Sequence, residues 1–406
     1  MGYEENEARS YGLRALYGLC LFSQLNKLPP KGQVFVAKQI QMEKETTVNK
    51  TFENRKEVQT ILPIEKKYTQ DWHKYNLAKC NEKLLFYELL NDLSKLIREK
   101  PYRFGRPFIP IKDLFFSVGL KLYSNYSGRK TMSDLKKAND AGYISVKPHF
   151  NTLTEFLNCP ATYELLSKML TVSAIPLNKL EDKFSIDSSG FGSYQYERWM
   201  RVRFQKDPTG KMSKRGWRNY LKGHILIGTR TNVICSAEIT EGNLADVKQL
   251  PKLLEKAKGF NIKEVSADKA YSSKMVFRII QAIGAIPYIP FKYTTKQPTK
   301  DSPDIWNKMF LLFRDKQEEW KEHYHKRSNV ESTFAMVKLR FGEFLRCKSF
   351  EAQRNELLMK FICHNICCLI QEMYEHNVQI DFKDSLKIYV DQKVLATKFE
   401  ELETYD

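Results

Sequence analysis

Apolar and polar positions divide the chain into stretches of different period. From about Val58 to Leu180 apolar residues recur every three or four positions, the spacing of helices with one buried face. Asn81–Ile97 (NEKLLFYELLNDLSKLI) is the clearest case. Arg98–Pro110 carries Pro101, Gly105, Pro107 and Pro110, which break it. Ile111–Tyr123 predicts a second helix, Ser124–Lys130 a turn, Thr131–Ala138 a third helix and Pro148–Leu157 a fourth. At Lys183 the period shortens to two. Phe184 and Ile186 alternate with polar neighbours, predicting a short strand that exits at Asp187 and is ended by Ser-Ser-Gly. His224–Thr229 and Val233–Ile239 read as two strands around a Thr-Asn turn. There follow a helix over Ala245–Lys258, a strand Ile262–Ala267 ending at Asp268, a helix Ser273–Ile283 and a strand Ile286–Phe291. After the polar insertion Lys292–Pro303 come a helix bearing Glu331 and a long buried helix over Leu357–Tyr374.

Three strands, a helix, a strand, a helix, a strand and then more helix predict the α/β class. The expected architecture is an RNase H-like core, a mixed five-stranded sheet with flanking helices, preceded by an all-helical N-terminal domain. Residues 1–57 have no clear pattern and 58–180 form the helical domain. The sheet domain spans 181–375, with a short insertion near 292–320, and 376–406 form a tail that turns acidic at its tip.

Composition narrows the partners. The 406 residues include 66 Lys and Arg against 48 Asp and Glu, a net charge of +18, which suits a polyanion. The eight cysteines lack paired zinc-ligand spacing, and Arg14–Phe22 is too short and interrupted to span a bilayer. A soluble, cytoplasmic, nucleoid-associated setting without a membrane partner is therefore expected. The basic residues are unevenly placed. Residues 92–150 hold 12 Lys or Arg against 5 Asp or Glu, on short helices joined by basic turns, which suits DNA contact of helix-turn-helix type. Arg198–Arg218 holds eight basic residues and one acidic, with aromatic rings interleaved. There Arg198, Arg201, Arg203, Lys214, Arg215, Trp217 and Arg218 are expected to meet phosphates and unstacked bases. The alternative is a solvated charged loop.

The segment Tyr324–Lys338 (YHKRSNVESTFAMVK) organises the chemistry. Tyr324, Arg327, Glu331 and Lys338 follow at gaps of three, four and seven residues, close to whole helical turns, so they share one face. Val330, Phe334, Val337 and Phe341 form an adjacent stripe that can pack inward. Glu331, taken alone, reads as a salt-bridged surface acid. Two further acids, Asp187 and Asp268, stand at expected strand ends, and such a sheet can bring all three carboxylates to one point. Hard oxygen ligands with open positions suit Mg²⁺ or Mn²⁺. Two ions roughly 3.5–4 Å apart would hold the attacking and leaving oxygens of a phosphoryl displacement. Glu343 and Glu197 are the spare acids, and Asn243 and Asp246 read as caps of the helix after the third strand. His323 and His325 read as contacts to DNA or solvent. Cys363, His364, Cys367 and Cys368 fall among Leu, Ile and Phe and read as core.

Asp187, Asp268 and Glu331 resemble the DDE triad of insertion-sequence transposases. Tyr324-x₂-Arg327-x₃-Glu331-x₆-Lys338 is similar to the Y-R-E-K signature of their hairpin-forming cut-and-paste branch, and FSIDSSGF and SADKAYSS resemble the contexts of the family's two aspartates. The likeness spans roughly residues 110–372. It implies that the three carboxylates bind the metal ions and that Tyr324, Arg327 and Lys338 contact DNA phosphates beside the cleaved end. It implies a transposase that cleaves transposon inverted-repeat ends and joins 3′-hydroxyls to target DNA, as a dimer on paired ends. The chain departs from the branch in one respect: Lys292–Lys321 is too short for a large β-rich insertion domain. A transposase-derived DNA-binding protein that no longer cleaves, and a metal-dependent nuclease without strand transfer, are the alternatives.

Overall fold

The computed structural model describes residues 71–99, 104–105, 107–193, 220–242, 244–297, 299–300 and 302–391. The readings of residues 1–57, of Glu197, Asn243 and the tip of the tail, and of Arg198, Arg201, Arg203, Lys214, Arg215, Trp217 and Arg218 lie outside them. The described residues belong to one compact unit, Gln70–Asp406.

Five helices come first: α1 (Trp72–Ser94), α2 (Ile111–Tyr123), α3 (Gly128–Asp140), α4 (Phe150–Asn158) and α5 (Ala161–Ala174). Helix α1 begins nine residues before the predicted Asn81. Asp71 caps it by accepting from the His73 and Lys74 amides, and its first turns are largely solvated, so no apolar period marks them. Helix α3 likewise begins inside the predicted turn, at Gly128, where Ser127 accepts from the Lys130 amide.

The sheet comprises β1 (Lys183–Ser193), β2 (Tyr220–Gly228), β3 (Ile234–Glu241), β4 (Glu264–Ala267), β5 (Ile286–Tyr288) and β6 (Phe344–Leu345). Its order is β3-β2-β1-β4-β5, with β6 pairing the far end of β1. Strand β2 is antiparallel to both β1 and β3, whereas β4 and β6 run parallel to β1 and β5 parallel to β4. The sheet thus has six described strands where the sequence predicted five, because the two-residue β6 is too short to show a period. Between strands lie α6 (Leu250–Lys256) and α7 (Lys274–Ala282). After β5 come α8 (Asp304–Asp315), α9 (Gln317–Tyr324), α10 (Ser328–Phe341) and α11 (Phe350–Glu375).

The central strands are covered on both faces, which is why Ile225, Leu226 and Ile227 of β2 are all fully buried instead of alternating. Helix α6 covers one face, where Ser236 donates from its hydroxyl to the Leu253 carbonyl at 2.8 Å. Helices α10 and α11 cover the other, where Phe191 meets Phe334 and Phe361 at ring separations of 6.2 and 6.0 Å. Helix α11 is shared between sheet and helices. Its Asn365 accepts from the Ile234 amide and donates to the Ile234 carbonyl, both at 2.8 Å, and donates to the Ser173 hydroxyl of α5 at 2.9 Å. Asn355 donates to the Leu157 carbonyl at the end of α4, and the Cys363 thiol donates to the Gly119 carbonyl of α2. Cys363, His364 and Cys367 are buried along this helix, and burial raises both thiols and lowers His364 to about 4.

Two buried acids fasten the turns beside the site. Glu181 accepts from the amides of Arg230 and Thr231 at the β2–β3 turn. Glu356 accepts from the amides of Arg346 and Cys347, while Lys360 donates to the carbonyls of Gly342 and Phe344 at 3.0 and 2.9 Å. The second pair fixes the chain as it leaves α10 and sets β6 against Gly192 and Ser193.

Candidate active site

Strand β1 runs on to Ser193 and does not stop at Asp187 as the sequence suggested. Its pairing with β4 does stop there: the last register pair is Ile186 with Ala267, so Asp187 and Asp268 come next on neighbouring parallel strands. Parallel neighbours in register point to the same side of a sheet. Asp187 is therefore at the exit of the β1–β4 ladder, although in mid-strand. Each aspartate is steadied by the amide after it, Ser188 to Asp187 at 2.8 Å and Lys269 to Asp268 at 2.6 Å.

Alternation along β1 puts Asp187, Ser189 and Phe191 on one face, and α10 lies along it. Arg327, just before α10, donates to Asp187 at 3.0 Å and to Glu331 at 2.9 Å, so one guanidinium joins two of the three acids. Lys338, nearly two turns beyond Glu331, donates to the Ser189 hydroxyl at 2.7 Å and stands 5.1 Å from the Phe191 ring centre. The α10 face thus tracks the strand residue by residue, and β6 closes the far end. The predicted single helix is in fact interrupted: Tyr324 ends α9, and His325–Arg327 is a tight 3₁₀ turn leading into α10. Tyr324 stacks on Trp320 at 4.5 Å, and Trp320 packs edge-on against Phe313 at 4.9 Å. Phe313 in turn meets Phe291 at 5.6 Å, so an aromatic column from the end of β5 fixes Tyr324.

The electrostatics follow from this crowding. Burial raises the Asp187 carboxyl above its ordinary range; the Ser188 amide and Arg327 oppose that, while the negative charges of Asp268 and Glu331 add to it. Burial works against the charge on Arg327, but the surrounding Tyr324, Asp187 and Glu331 outweigh it and hold the guanidinium firmly protonated. Burial lowers Lys338, partly offset by Glu343, and raises the Tyr324 phenol. Asp187 and Arg327 are mostly enclosed, with 20% and 18% of their side chains exposed, whereas Glu331 is 59% exposed.

The donor set fits a hard divalent cation. All three candidates offer carboxylate oxygens, their mutual repulsion is only partly cancelled by Arg327, and Glu331 still faces solvent. With Arg327 held between Asp187 and Glu331, the ligand atoms of Asp187, Asp268 and Glu331 do not all lie within 4.8 Å of one another. Among the described residues Glu372, Glu375 and His376 do. Those three are already engaged. His376 bonds Glu372 at 2.6 Å and Arg230 at 3.1 Å, and Gln371 donates to Glu375 at 2.6 Å.

Other candidates fall elsewhere. His323 does not face outward: it stacks on Tyr288 at 4.5 Å and bonds Glu264 at 2.9 Å. His325 is exposed. Glu343 is exposed too, and its carbonyl accepts from the Gly192 amide. Asp246 opens a short 3₁₀ turn before α6 and pairs with Lys222 at 2.6 Å. Sequence reasoning passed over Ser189, which the i, i+2 spacing from Asp187 would have found.

Residues 178–366 match the family model described as the transposase DDE domain, and that stretch contains every residue of the site just described. No curated protein matches the chain. Among solved structures, the piggyBac transposase synaptic complex with hairpin DNA is similar over 76% of this chain and 76% of that one, at 10% identity and a TM-score of 0.34.

Proposed function

We propose that this chain is a DNA transposase whose residues 178–366 form an RNase H-like catalytic domain of the Y-R-E-K branch. The observation that supports this most is the shared guanidinium: Arg327 binds Asp187 and Glu331 together beside Asp268, inside the segment that matches the transposase family. An ordinary surface salt bridge does not need two acids from elements so far apart in sequence. Bringing carboxylates together without a counter-cation costs several kcal/mol, in order of magnitude, through repulsion and desolvation.

Asp187, Asp268 and Glu331 would hold Mg²⁺ or Mn²⁺, two ions in all. When bound, the ions activate water or a 3′-hydroxyl and neutralise the departing oxygen. No side chain then needs to act as nucleophile. Arg327 and Lys338 lie on the Glu331 face of the same helical segment, where they would grip the phosphates on either side of the scissile bond. Tyr324, held by its aromatic column, would fix the strand through its hydroxyl. The substrates are the element's inverted-repeat ends and a target duplex, engaged by a dimer.

The test uses duplexes ending in the inverted repeats that flank the coding sequence, with Mn²⁺ and a plasmid target. Wild-type protein is expected to cleave the ends and join them to the plasmid. Asp187→Asn, Asp268→Asn and Glu331→Gln should each lower cleavage by at least about 1,000-fold, with end binding by gel shift kept within a few-fold. Cleavage retained in any one removes that residue from the triad. Cleavage without joining identifies a nuclease, and binding without cleavage a silent DNA-binding protein.

A further inference from the structure

Ser189 stands two residues beyond Asp187 on β1, roughly 7 Å along the strand and on the same face. Its hydroxyl accepts from the Lys338 ammonium at 2.7 Å, and the same ammonium stands over the Phe191 ring at 5.1 Å. The residue paired with Ser189 on β2 is Gly223, so no side chain reaches this hydroxyl from the paired position. A Cβ on Gly223 would come within 3.2 Å of the Phe361 ring. Lys338 is half-buried, and burial works against its charge, with Glu343 offsetting part of that. A hydroxyl acceptor and a ring face replace some of the water the ammonium has lost. An ammonium has three donors, so a bond to Ser189 leaves two for a phosphate.

A free lysine side chain moves among many rotamers, and binding a phosphate must then restrict it. Here the strand that carries Asp187 already imposes that restriction. We propose that Ser189 is a positioning residue: its hydroxyl fixes the Lys338 ammonium on β1 at a set distance from Asp187, so that cation and carboxylate address neighbouring groups of one DNA strand. This rests on the DNA-cleaving function proposed above. The part given to Ser189 is indirect, since it acts on the phosphate through Lys338. The strand, and not the helix alone, then sets where the cut strand lies.

The experiment is single-turnover cleavage of an inverted-repeat duplex with Mn²⁺ by the full-length protein, run as a double-mutant cycle with thermal unfolding alongside. Ser189→Ala is expected to slow cleavage about 10-fold, with end binding within a few-fold of wild type. Ser189→Thr keeps the hydroxyl and should restore most of the rate. Lys338→Met keeps an apolar stem and removes the charge; on that background Ser189→Ala should slow cleavage no further. A serine that only stabilises the fold would slow both backgrounds alike and lower the unfolding temperature. That result, or full activity in Ser189→Ala, overturns the assignment while leaving the three acids standing. If Lys338→Met cleaves as well as wild type, the lysine has no role for Ser189 to serve, and the assignment fails too. Wild-type protein that does not cleave the ends contradicts the transposase reading itself, and Ser189 loses its role with it.

Discussion

Arg327 decides how the site rests. Its guanidinium lies between Asp187 and Glu331 and offsets a repulsion that burial would otherwise enlarge. Asp187 still has a raised carboxyl, with burial the largest cause. A raised folded-state value means that the folded protein holds the extra proton in the window between the unfolded carboxylate, about 3.9, and the higher folded value. Stability from this group is therefore fully present below that window and is lost as pH rises through it. Asp187→Asn removes the slope. We expect it to raise the unfolding temperature at pH 7.5 by on the order of 1–3 °C and to confer no gain near pH 4, by thermal unfolding at both. A variant less stable at pH 7.5 would mean that Arg327 more than repays the burial. The end of a strand pairing at Asp187 and Asp268 was legible from the alternation before them. That Arg327 binds the acids themselves was not, because a cation four residues from a carboxylate looks the same whether it pairs on a surface or bridges two elements.

At the scale of elements, the local periods revealed most helices and strands but not where they end. Strand β1 was read as stopping at Ser-Ser-Gly, because glycine usually weakens a strand. Here the glycines are needed for close approach: a Cβ on Gly192 would come within 2.8 Å of the Phe344 ring, and one on Gly190 within 3.0 Å of the Tyr220 ring. Both rings belong to neighbouring strands, invisible to a reading of β1 alone. Between the polar insertion Lys292–Pro303 and the helix of Glu331 no separate helix was marked out, yet the amphipathic α8 lies there and buries Trp306 and Met309. Helix α10 ends at Gly342, with φ +82° and ψ 142°, a region that residues with a Cβ rarely enter. The same residue's carbonyl accepts from Lys360. Gly342→Ala should destabilise the protein by about 1–3 kcal/mol in urea unfolding, through backbone strain alone, since nothing lies within 4 Å of the added Cβ. An unchanged midpoint would show that the exit from α10 can take another path.

Over the whole molecule, the helices and the sheet share α11, so the face that carries Glu331 rests on a buried frame and not on a loop. No helix among the described residues is long and apolar enough to cross a membrane. The charge of +18 belongs to the full chain, and much of it lies on segments such as 198–218 that fall outside the described residues. Their role in gripping DNA is an expectation from sequence. We propose that three acids, from β1, the end of β4 and α10, form one cation site. Anomalous scattering from crystals grown with Mn²⁺, recorded at the manganese edge, tests it directly. The expected result is density bounded by Asp187, Asp268 and Glu331, with Arg327 displaced from at least one acid. Manganese bound at Glu372, Glu375 and His376 and nowhere near Asp187 would contradict it.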